Sequence, residues 1–190
     1  PGTARRSPTV ELGSGTGALL QDLARDTDAA YIGIDLSTAA ADHAARNTPP
    51  ELRPRCTWVV ANADRRLPLV DGAASLVLSV HGRRNAPEVA RILAPGGHWL
   101  VAVPGDDDLA ELRAVLHGGA SEPGRGAALL TELTEGAGTP RAFTLVRRGT
   151  SRARHPVDEG TLDALCRATY RGLRRGEAAR LAAQPAGSES

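Results

Sequence analysis

The chain has 190 residues, a formal net charge of +1 and 41% hydrophobic residues, the size of one globular domain with a core of its own. No apolar run nears the roughly 18 residues that span a bilayer, and no signal-peptide pattern opens the chain, so a soluble, cytoplasmic protein with no membrane partner is expected. Cys56 and Cys166 lie far apart and outside any Cys-x-x-Cys pattern, which argues against a disulfide framework or a zinc site and for two buried apolar residues.

Thr9 to Leu12 reads as an apolar strand that runs into Gly13-Ser14-Gly15-Thr16-Gly17 and emerges as a helix from Ala18 to Arg25. Glycines at alternate positions allow a tight turn and leave backbone N–H groups uncovered beside the positive end of the helix, where a ligand can lie on the main chain. Ala29 to Ile34 is a second strand, and Ser37 caps a helix from Ala39 to Arg46 that stops before Asn47-Thr48-Pro49-Pro50. Cys56 to Ala61 is a third strand, followed by a polar loop from Asn62 to Leu69. The continuous apolar run Ala74 to Val80 is a fourth strand, buried on both faces. Pro87 opens a helix to Leu93, Pro95-Gly96-Gly97 ends it, and His98 to Val103 is a fifth strand. The alternation predicts an α/β fold, a doubly wound, Rossmann-like, mostly parallel sheet with helices on both faces.

Beyond the fifth strand, Asp107 to His117 reads as a helix capped by Asp106 or Asp107. Gly118 to Pro140 reads as an excursion over the sheet's edge with a helical piece from Ala127 to Leu133. Arg141 to Arg147 reads as a sixth strand and Val157 to Ala183 as one or two helices, with Gln184 to Ser190 a disordered tail. A single domain over residues 1–183 is expected.

Gly13-x-Gly15-x-x-Ala18, with Asp35 about 20 residues on for a ribose hydroxyl, also fits the dinucleotide fingerprint. Glu11 discriminates, because an acid two residues before the glycines is not part of the nicotinamide pattern, and a carboxylate on a buried strand needs a partner. Glu11-Leu12-Gly13-Ser14-Gly15-Thr16-Gly17 resembles the first motif of class I S-adenosylmethionine-dependent methyltransferases, and Gly33-Ile34-Asp35-Leu36-Ser37 is similar to their second. Asn62-Ala63 stands where that family has an Asp-Ala pair, and Leu67-Pro68-Leu69, Asp71 and Ala90 to Gly97 complete the order. The resemblance implies S-adenosyl-L-methionine as cofactor and a cofactor site of Glu11, Gly13, Ser14, Gly15, Gly17, Asp35, Leu36, Asn62, Ala63 and Ser79. In it Asp35 takes both ribose hydroxyls, Asn62 accepts from the adenine amine and Ala63 N–H donates to a ring nitrogen.

Ala61 to Pro68, Val77 to Val80, Arg84 to Arg91 and Val103 to Arg113 are similar to the 23S ribosomal RNA guanine-N1 methyltransferases, a group that includes enzymes protecting antibiotic producers. The sequence departs from that group in opening without its zinc-binding N-terminal module or the helix before the first motif, and in lacking a final strand unless one is hidden in a segment read as helix. It also has Val80-His81-Gly82-Arg83-Arg84 where the group has an aromatic residue and a proline. That position faces the methyl group, which makes His81 the candidate proton acceptor and Arg83 its catalytic neighbour; Arg83 and Arg84 contact a phosphate or the base, or only begin a helix.

The implied substrate is ribosomal RNA. Residues 1–140 hold 13 Arg against 17 Asp and Glu, whereas residues 141–180 hold 10 against 4. Arg147, Arg148, Arg152, Arg154, Arg167, Arg171, Arg174 and Arg175 therefore form either a phosphate-binding surface or a solvated face. Trp58 and Trp99 fall in strands as core residues, and no base-stacking platform is visible among five aromatic residues. A small-molecule acceptor from a natural-product pathway and a cofactor-binding module without turnover are the alternatives. The oligomeric state is not legible.

Overall fold

Strand β1, Thr9–Leu12, is buried along its whole length because it runs through the middle of a parallel sheet with β2, Tyr31–Asp35, on one side and β4, Ala74–Val80, on the other. The strand order is β3-β2-β1-β4-β5, with β3 spanning Cys56–Val60 and β5 spanning Leu93–Ala102, and every pair is parallel. Three helices connect the strands: α1, Ala18–Asp26; α2, Thr38–Asn47; and α3, Ala86–Ile92. This computed structural model describes residues 7–110, 124, 127–129, 131, 133, 143–154 and 156–162. The chain divides into two units between Arg148 and Gly149, and the sheet belongs to the first.

Alternation along the strands sends side chains to two separate cores. Val10, Leu12, Ile34 and Val77 meet Val89 and Ile92 of α3 on one face, together with Ala63 and Leu67 from the segment that follows β3. Tyr31, Cys56 and Leu78 meet Leu20 and Ala24 of α1 on the other, as expected for α1's apolar spacing. Ser37 caps α2 by accepting from Ala40 N at 3.2 Å. Asn85 caps α3. Cys56 is buried as expected, whereas Trp58 and Trp99 are each half-buried.

The doubly wound parallel sheet stands as predicted, with corrections at its margins. Strand β5 begins at Leu93 instead of His98: Leu93 pairs with Ala74 and His98 with Leu76, so Ala94 to Gly97 bulges out of the ladder without ending it. Residues 106–109 are turns, because Leu109 takes φ of 49° and breaks the helical run expected from Asp107. The sixth strand expected over Arg141 to Arg147 is not formed at residues 143–147. A strand exists only through its ladder, and Phe143 instead sets its ring 5.0 Å from that of Trp99, while Val146 is exposed. The C-terminal helix starts after Asp158, whose carboxylate accepts from Thr161 N at 2.7 Å. Cys166, Arg167, Arg171, Arg174, Arg175, the tail and most of the 118–140 segment lie outside the described residues. Among the described residues no helix is long and apolar enough to cross a membrane.

Candidate functional site

In an open parallel sheet the crevice lies at the carboxyl ends of the strands, where the order reverses. Here that point falls between β1 and β4, and four connections converge on it: Gly13 to Gly17 after β1, Asp35 to Ser37 after β2, Asn62 to Asp64 after β3 and His81 to Asn85 after β4.

The glycine loop is closed by its own bonds. Gly13 N and Ser14 N both donate to Ile34 O, at 2.8 and 3.1 Å, Gly17 N donates to Ser14 O at 2.9 Å, and Gly15 N donates to Asp35 Oδ2 at 2.8 Å. The expectation of uncovered amides is therefore corrected: at these four positions Ile34 of the sheet, the loop's own Ser14 carbonyl and Asp35 have claimed them. Asp35 Oδ1 accepts from Ser37 N at 2.8 Å. A carboxylate offers about four lone-pair sites, so Asp35 shapes the loop and keeps capacity for two hydroxyl donors. Leu36 beside it is 68% exposed, an apolar side chain left open to solvent.

Beneath the loop a single cross-strand row runs Trp58, Gly33, Glu11 and Leu78. Trp58, anchored by Nε1 to Thr48 Oγ1 at 2.9 Å, lays its indole across Gly33 and under Gly17. A Cβ on Gly17 would stand 2.3 Å from that ring, and the residue's φ of 80° already favours glycine. Sequence reasoning placed Trp58 in the core and missed it as the floor of the loop; its signal was the register that puts a large ring opposite a glycine.

Glu11, next in the row, is 4% exposed, and among the described residues its buried Oε2 has no partner. Burial, and secondarily the negative charge of Asp35, push its carboxyl up to about 7. An orphaned buried carboxylate under a closed loop, an acid with spare acceptor sites and an exposed leucine suit a ligand with a cationic end, vicinal hydroxyls and a flat apolar ring.

Asn62 and Ala63 form a tight turn. Asn62 Oδ1 accepts from Asp64 N at 2.9 Å and Asn62 O from Arg65 N at 3.0 Å. One acceptor site of Oδ1 thus serves the turn, which leaves its second lone pair and the NH₂ for the adenine contact expected of Asn62. Ala63 is 6% exposed. Ser79 is 1% exposed and its Oγ accepts from Trp99 Nε1 at 3.0 Å, so its side chain, expected at the cofactor, instead serves the packing of β5.

His81 is exposed with φ of 54°, a left-handed position rare outside glycine, and its N–H donates to Ala102 O at 2.9 Å. Gly82 explains the strain. Its backbone presses so closely on the end of β1 that a Cβ would fall 1.9 Å from Leu12 O, which brings the β4 loop against the glycine loop. The guanidinium of Arg83, expected as a catalytic neighbour, pairs with Asp64 of the loop after β3 at 2.6 Å, with both side chains exposed. An open hollow of about 430 Å³ lined by Asp71, Gly72, Pro87, Ala90, Arg91, Leu93 and Pro95 lies at the amino ends of β4 and β5, away from this cluster.

Residues 10–97 match the family described as a methyltransferase domain. A 23S rRNA (guanine(748)-N(1))-methyltransferase of Streptomyces fradiae is 43% identical over 119 residues, covering 58% of this chain and 41% of the relative. A protein of Micromonospora griseorubida, provisionally named as a 23S rRNA (guanine-N(1)-)-methyltransferase, is 35% identical over 104 residues, covering 54% of this chain and 34% of its own. The chain spans less than half the length of either curated relative. Among solved structures, a SAM-dependent methyltransferase from Thiobacillus denitrificans in complex with S-adenosyl-L-homocysteine is 24% identical with a TM-score of 0.45, over 53% of this chain and 43% of that one.

Proposed function

We propose, from the premise that residues 10–97 make this chain the carrier of a class I S-adenosylmethionine-dependent methyltransferase domain, that it methylates a guanine of 23S ribosomal RNA in the cytoplasm. The observation that carries the substrate is the 43% identity to the Streptomyces fradiae enzyme, whose name states that reaction. The bound cofactor supplies an electrophilic methyl group on a sulfonium.

Glu11 faces the cationic amino-acid end, Asp35 takes the ribose hydroxyls, Leu36 packs on the adenine and Asn62-Ala63 reads its edge. Gly13, Ser14, Gly15 and Gly17 shape the backbone between them. A guanine N1 nucleophile must lose its proton, and His81, held at the mouth of the crevice by its strained backbone and by Gly82, accepts it. Fixing nucleophile and methyl in line supplies about 7–11 kcal/mol of the barrier, so placement matters more than a strong base.

A methyl on guanine N1 blocks Watson–Crick pairing, so primer extension on ribosomal RNA from cells expressing the chain should stop beside one guanine. Asp35→Ala should abolish the stop. Ribosomal RNA without a new stop and without the mass gain of one methyl would refute the substrate. Growth of the same strain with and without a macrolide tests whether the mark protects ribosomes.

A further inference from the structure

We infer that Asn85 is a positioning residue that fixes the Asn62-Ala63 turn for the adenosine half of the cofactor, an inference that rests on the role proposed for that turn. Asn85 lies between β4 and α3, and its carboxamide works in two directions. Oδ1 accepts from Glu88 N at 3.4 Å as the cap of α3, and Nδ2 donates to Ala63 O at 3.1 Å. The reverse amide orientation would set NH₂ against an N–H and oxygen against a carbonyl, so the network allows one assignment.

A helix cap alone is served as well by Asp or Ser. Asparagine adds a donor, and the donor goes to the turn.

Both peptide planes beside Ala63 are pinned. The plane before it is held through Asn62 O by Arg65 N, and the plane after it through Asp64 N by Asn62 Oδ1. Those bonds lie within the turn, whereas Asn85 ties the turn to the body of the fold, 22 residues away in sequence. A second tie from the same loop, Arg83 to Asp64, is an ion pair with side chains 70% and 44% exposed, a class that contributes little. With Asn85 in place, the Ala63 N–H and the Asn62 NH₂ have fixed directions. One short loop then carries both His81, the proposed proton acceptor, and Asn85, the tie to the turn proposed for the cofactor.

Asn85→Asp and Asn85→Ser each keep the cap and remove the donor to Ala63. Calorimetric titration of the full chain with S-adenosylhomocysteine and with 5′-methylthioadenosine, which share the adenosine half, should show both ligands weakened by the same factor, roughly 3- to 10-fold. The melting temperature of the unliganded variants should match the parent. Unchanged affinity for both ligands overturns the inference, as does a lowered melting temperature with unchanged affinity, which leaves Asn85 as a cap alone. A parent protein that binds neither ligand overturns the cofactor assignment of the turn, and this inference with it.

Discussion

Glu11 is a carboxyl that the fold prefers to keep protonated. Its value rises from 4.5 to about 7 through burial first and the charge of Asp35 second. Between those two values the native state binds a proton that the unfolded chain has released, so stability falls as pH rises through that window and levels off above it. The full effect is about 3 kcal/mol. Glu11→Gln should flatten the urea midpoint between about pH 5 and 8 and raise it at the alkaline end. A midpoint that keeps the parent's slope would remove Glu11 as the source. On the proposed cofactor placement, a cationic ligand end also ionises Glu11, so binding near pH 7 should release a proton, read as a dependence of binding heat on buffer ionisation. Glu11→Gln should lose that dependence.

Helix α3 does more than cover the sheet, because it also holds the segment that returns from β3 to β4 without a helix of its own. Glu88 accepts from Leu67 N at 2.6 Å, and Arg91 donates to Leu69 O at 2.8 Å and to Asp71 at 2.7 Å while pairing with Glu88. The side chains of Arg91 and Glu88 are only 13% and 10% exposed, so removing one partner strands a buried charge. Arg91→Met should cost about 3–5 kcal/mol by chemical denaturation; a loss below about 1 kcal/mol would place this pair in the class of surface bridges. Arg91 holds the Glu88 carboxyl below its ordinary value. This contribution is complete above the ordinary carboxylate range and fades as pH falls through the lowered one, opposite in sign to that of Glu11. The strands and helices up to β5 were legible because apolar runs, Ser37 and Pro87 report local structure. The clasp of α3 was not, since Glu88 and Arg91 three residues apart on a helix give no sign in sequence of their bonds to Leu67 and Leu69. Glu11, Asp35 and the glycines were legible by motif. The closure of the loop by Asp35, the Trp58 floor and the second bond of Asn85 all depend on register or long-range contact.

Charge is divided along the chain in a way the sheet alone does not require. The segment that carries the proposed cofactor residues is acidic on balance, whereas residues 141–180 hold 10 Arg against 4 Asp and Glu. Arg147, Arg148, Arg152 and Arg154 are all exposed on a stretch without regular secondary structure. Such a stretch adapts to a phosphate backbone but reads no sequence, so on the proposed RNA substrate its contribution would be affinity that salt removes. With all four replaced by glutamine, the slope of log affinity against log salt for a ribosomal RNA fragment should become shallower by up to about 3, at roughly 0.7–0.9 for each phosphate that is no longer neutralised. Affinity for S-adenosylhomocysteine should stay at the parent's value, because every residue proposed to hold the cofactor falls between Glu11 and Asn85. An unchanged slope would make these arginines a solvated face and move the test of the proposed RNA contact to Arg65, Arg83 and Arg84 on the loops after β3 and β4, where the same salt titration on their glutamine variants decides.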